Sequence, residues 1–162
     1  MNQAQQKLIK KVTSLIAMRL YMLVNLPMGL IAGLRVREIT KSKTIVSVPF
    51  KYLNKNPFKS TYFAVQSMAA EMSTATACLL AVEGQKPSVA FIIVDMKASF
   101  GKKATDRVFF TCEENQKAFE AVQDCINTGD ASIATFKTIG KMKDGTVVSE
   151  FEFTWSFKQR KS

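Results

Sequence analysis

The chain has 162 residues, of which 47% are hydrophobic and 22% charged, a composition suited to one soluble globular domain with a sizeable core. Its net charge of +10 favours anionic partners: nucleic acid, an acidic membrane surface, or a phosphorylated ligand such as a coenzyme. It contains no histidine, which excludes His-dependent triads, His-ligated metals and imidazole acid–base chemistry.

The first segment is ambiguous by composition. Lys7, Lys10 and Lys11 precede an apolar run from Val12 to Leu34, the pattern of a signal peptide or a membrane span. Arg19, Asn25 and Pro27 interrupt that run, and a charge near the middle of a span is costly. Gln3 to Leu26 therefore reads as one amphipathic helix packed on the domain; because it is basic, contact with a membrane surface is the alternative. Residues 1–33 form this helical segment, and residues 34–162 the main domain.

Two short strands follow, Leu34 to Thr40 and Thr44 to Phe50, around the turn at Lys41–Lys43. A long helix is predicted over Ser60 to Val82, with Ser60 as N-cap and Gly84 to Pro87 as its breaker. Val89 to Ala98 reads as a strand buried on both faces, and Asp106 to Glu113 as another. Asn115 to Asn127 has helical periodicity and ends at Gly129. Ala131 to Ile139 and Thr146 to Lys158 form a hairpin across Lys143–Thr146. In its last strand Phe151, Phe153, Trp155 and Phe157 alternate with Glu150, Glu152, Thr154 and Ser156. Antiparallel strands wrapped around one apolar helix make this an α+β fold.

The long helix carries the most informative pattern. No Lys or Arg occurs between Lys59 and Lys86, and the only charges between them are Glu71 and Glu83. A helix apolar nearly all round is buried on most sides, so Glu71 must be paired, protonated or functional. Ser60, Ala64, Ser67, Glu71, Thr74 and Cys78 share one stripe of small, mostly polar residues. Such a stripe admits close approach by a backbone, a second helix or a ligand. A salt bridge from Glu71 to a distant Lys or Arg is the structural alternative.

The basic residues form only short clusters, including Lys102-Lys103 and the tail Lys158, Arg160 and Lys161, with no nucleic-acid-binding signature; no nucleic-acid partner is expected. Cys78, Cys112 and Cys125 lack metal spacing and read as reduced thiols of a cytoplasmic protein, with no metal site and no cofactor expected.

The element order and the segment Asn54-Lys-Asn-Pro-Phe-Lys-Ser-Thr-Tyr-Phe-Ala-Val-Gln-Ser-Met-Ala-Ala-Glu71 resemble the hotdog fold of the acyl-CoA thioesterase superfamily. The nearest pattern is an uncharacterised branch with Asn-Pro-Phe, Tyr-Phe-Ala and Ala-Ala-Glu, and the resemblance spans about Leu34 to Lys158. It implies a carboxylate on the central helix as nucleophile or general base, here Glu71. It also implies an Asn or Gln fifteen residues earlier that places the thioester or water, here Asn56. Where the superfamily carries His-Gly-Gly at the helix N-terminus, this chain has Tyr62, Phe63 and Ala64. The amides near Phe63 and Ala64 then stand as oxyanion donors, with Ser67 and Thr74 lining the substrate side.

The resemblance implies a thioesterase hydrolysing an acyl-CoA or related thioester, built as a homodimer or dimer of dimers with its site between subunits. The alternative is a non-catalytic acyl or acyl-CoA binding protein.

Overall fold

The computed structural model describes residues 1–160; Lys161, from the basic tail, and Ser162 lie outside the described residues. Three helices come first: α1 (Gln3–Thr13), α2 (Leu15–Asn25) and α3 (Pro27–Ala32). The single helix expected over Gln3 to Leu26 is thus two. Ser14 is extended (φ −68°, ψ 123°); its N–H donates to the Lys10 carbonyl and its Oγ accepts from the Ala17 N–H, ending one helix and starting the next. This double capping lets α1 pack on the domain while α2 turns away. The Asn2 side chain caps α1 by accepting from the Gln5 N–H, and Gln5 Nε2 donates to the Leu80 carbonyl at 3.0 Å, tying the N-terminus to the domain.

The strands β1 (Arg35–Ile39), β2 (Thr44–Val48), β3 (Val89–Phe100), β4 (Val108–Cys112), β5 (Ser132–Met142) and β6 (Val147–Gln159) form one antiparallel sheet in the order β1-β2-β4-β5-β6-β3. The long helix α4 (Phe63–Val82) crosses its inner face, with α5 (Gln116–Thr128) beside it. Phe151, Phe153, Trp155 and Phe157 of β6 are all buried beneath the helices, as their alternation requires. Ser73, in mid-helix, is buried but satisfied by the Ala70 carbonyl and the Thr138 hydroxyl. Cys78, Cys112 and Cys125 are free and buried; burial pushes the Cys112 thiol up to about 11 and the Cys78 thiol higher than usual.

Two local expectations are corrected. The N-cap of α4 is Tyr62 rather than Ser60, because the Ser60 hydroxyl and N–H are held by the Asn56 side chain and the chain stays extended for two more residues. The strand expected to be buried on both faces, β3, is instead an edge of the sheet. It pairs only with β6, and Ile92, Val94 and Met96 are 65%, 53% and 50% exposed. The irregularity in its pairing falls between Ile93 and Asp95, so Ile93 pairs with Trp155 and Met96 with Phe153. Paired residues share a face, so both lie on the helix side of the sheet despite their spacing of three. An apolar run that one chain leaves uncovered has the same sequence signature as one it buries.

Candidate active site

The loop before α4 is built on Asn56. Its Oδ1 accepts from the Phe58 N–H (3.0 Å), the Ser60 N–H (3.2 Å) and the Ser60 hydroxyl (3.2 Å). Lys59 completes the turn in the left-handed region at φ 58°. The Asn56 carbonyl oxygen is therefore committed to its own loop, while its amide nitrogen has no partner among the described residues.

The loop is anchored by the Thr61 N–H to the Ala104 carbonyl (2.8 Å) and the Tyr62 N–H to the Asn54 carbonyl (2.7 Å). Asn54 is itself buried and donates to the Ala32 and Pro49 carbonyls. No side chain caps α4, and the N–H groups of Phe63 and Ala64 have no partner among the described residues. Two free N–H groups at a positive helix end are donors suited to an oxyanion. The Phe63 ring is exposed and lies edge-on to Tyr62 (4.8 Å) and Phe100 (6.2 Å). Beside it a cavity of about 290 Å³ is lined by Asn56, Phe58, Phe63, Phe100, Lys102 and Lys103. The two lysines were visible in the sequence only as a surface cluster; nothing local there links them to Asn56, more than forty positions earlier.

Along α4 the small-residue stripe divides. Ala64, Ser67 and Glu71 are half-exposed on the side of the helix left open, whereas Thr74 and Cys78 are fully buried. Ser67 Oγ donates to the Phe63 carbonyl one turn back (3.0 Å). The Thr74 hydroxyl is engaged on both sides, donating to the Glu71 carbonyl and accepting from Trp155. The Glu71 side chain has no ion pair among the described residues. Burial raises its pKa above the ordinary carboxylate value, and no neighbouring cation offsets this.

Asn56 and Phe63 thus share a cavity, and Glu71 lies further along the helix. Eight residues separate Phe63 from Glu71, which is about 12 Å of helix. Within one chain the amides and the carboxylate do not converge on a single bond. No group of three or more metal-ligating side chains gathers among the described residues.

The overall arrangement matches solved structures. One is a protein of unknown function from Pseudomonas aeruginosa, called a probable thioesterase (TM-score 0.76, 12% identity, covering 93% of this chain and 99% of that one). Another is a thioesterase from Haemophilus influenzae (TM-score 0.67, 14% identity, 94% and 95%). A third is a protein of unknown function from Chlorobaculum tepidum (TM-score 0.76, 11% identity, 98% and 96%). This is the hotdog fold. At such identities the likeness is one of fold, and at 93–98% of the chain it takes in the N-terminal helices as well as the long helix and its antiparallel sheet. No protein-family model matches the sequence, and no curated protein does.

Proposed function

We propose that the protein is a hotdog thioesterase that hydrolyses an acyl-CoA or related thioester as a homodimer. The observation that carries this reading is Glu71: a half-buried carboxylate on the open side of the central helix, without a cation partner and with a raised pKa. A raised pKa makes a carboxylate a better base near neutral pH. In this reading Glu71 is the general base or nucleophile, and the free amides of Phe63 and Ala64 stabilise the oxyanion. Asn56 positions the thioester or water through its free amide nitrogen, while Ser67 lines the approach. Thr74, with its hydroxyl engaged, holds the helix rather than the substrate. Lys102 and Lys103 suit the phosphates of a coenzyme.

The separation of about 12 Å within one chain supports a site shared between subunits. The unpaired edge of β3 is the natural partner surface: its exposed Ile92, Val94 and Met96 would be covered by pairing with β3 of a second copy. Such pairing would let Asn56 of one subunit face Glu71 of the other.

A non-catalytic acyl-binding protein is the second reading. The specific observation favouring it is Phe63, whose ring stands at the helix end where a thioester would approach the amides. The test is steady-state hydrolysis of an acyl-CoA panel by the wild type and Glu71→Gln. Activity lost in the variant with an unchanged fold supports the enzyme; equal rates refute Glu71 as base. A wild type that binds acyl-CoA and hydrolyses none assigns the binding role.

A further inference from the structure

The sheet edge opposite β3 carries a different chemistry. Arg35 and Arg37 of β1, Arg19 of α2, Lys51 after β2 and Arg107 before β4 line one cavity of about 340 Å³. None of the five pairs with a carboxylate among the described residues. The Arg35 Nε is buried without any hydrogen-bond partner there. Arg37 Nε reaches Ser47 Oγ (2.8 Å) and Lys51 Nζ the Ile31 carbonyl (2.6 Å), which orients both without neutralising them. Burial, and then the charges of Arg35 and Arg107, lower the Arg37 pKa from its usual value. Like charges held this close, with a buried donor left over, are a site for an anion; guanidinium forks match phosphate oxygens.

The rim of the cavity indicates which anion. Leu15, Arg19 and Met22 of α2 line it. The adjacent stripe of the same helix is Ile16, Leu20, Leu23 and Val24, all exposed, Ile16 and Val24 at 74% and 79%. Met28 and Ile31 of α3 extend this apolar surface. Residues 1–37 hold six cations and no carboxylate; Glu38 is the first. No helix among the described residues is long and apolar enough to cross a membrane. We infer that α2 and α3 dock on a membrane surface, with the phosphate of an anionic phospholipid in the arginine cavity and the apolar stripe among the acyl chains. A second copy fits poorly here, since a two-fold contact along α2 would bring two uncompensated cation clusters together.

The test is co-sedimentation of the full chain with vesicles of phosphatidylglycerol and phosphatidylcholine, against phosphatidylcholine alone. Binding to the anionic vesicles only, weakened by salt, is expected. Arg19→Gln/Arg35→Gln should reduce it about thirtyfold. Leu20→Glu/Val24→Glu, at exposed positions, should abolish it with the melting temperature unchanged. Calorimetry with inorganic phosphate separates the sources: phosphate binding lost in the arginine variant, without vesicle binding, makes this a soluble-phosphate site and overturns the inference. Retention on nucleic acid without vesicle binding overturns it, as does Leu20→Glu/Val24→Glu dissociating an oligomer of a chain that ignores vesicles.

Discussion

The Trp155 indole N–H donates to Thr74 Oγ1 at 3.1 Å, and Thr74 Oγ1 donates in turn to the Glu71 carbonyl at 3.0 Å. This relay ties α4 to β6 and fixes its rotation, with the Thr74 hydroxyl turned to the sheet. Trp155→Phe removes the indole donor and some packing volume. It should cost about 1–3 kcal/mol in denaturant unfolding.

Glu71 binds its proton more tightly in the folded chain than in the unfolded one, because burial raises its pKa from the ordinary 4.5. Its protonated form therefore supports folding. That stability is full below pH 4.5 and declines as pH rises through the raised folded value. Glu71→Gln should raise the melting temperature at neutral pH and have little effect in acid. A cation partner would produce the reverse, a loss of about 3–5 kcal/mol. Thermal melts of both proteins across pH decide between them.

Met96→Glu places a carboxylate on the exposed apolar run of β3, where it faces solvent in a lone chain. It should shift a dimer to monomer in light scattering at micromolar concentration, with the helical signal retained. Because like charges meet across a two-fold contact, the effect should weaken on acidification. A wild type that is monomeric at all concentrations removes the shared site.

Gly140 in β5 needs its missing side chain for packing. A Cβ there would lie 2.5 Å from the Phe110 ring and 3.0 Å from Ser149 Oγ. Ser149 Oγ donates to buried Gln66 of α4, so displacement would spread to the helix. Gly140→Ala should destabilise by about 1–3 kcal/mol.

Where structure followed sequence, the determinant was local. The charge gap from Lys59 to Lys86 marks α4, and the alternation of Phe151 to Phe157 marks β6, because each pattern records one continuous contact with the core. That Glu71 is the lone charge within the helix was equally legible; that it has no ion pair among the described residues was one of the alternatives its position left open. Thr74 was not legible: its place on the Glu71 stripe says nothing of the Trp155 indole that occupies it, eighty-one positions later. The edge position of β3 was not legible, because its apolar run Val89 to Val94 has the composition of a buried strand. The cluster of Arg19, Arg35, Arg37, Lys51 and Arg107 has no sequence signature, since only the tertiary fold brings those positions to one cavity.

The burial of Cys78, Cys112 and Cys125 has a practical corollary. A thiol reacts as its thiolate, and burial suppresses the thiolate of Cys78 and Cys112 as well as reagent access to all three. The native chain is therefore nearly silent to maleimide dyes. A cysteine introduced at Val24 or Met96, both exposed, would take up a fluorophore alone, so the proposed vesicle docking and the proposed dimer can each be tested spectroscopically without first removing the natural cysteines.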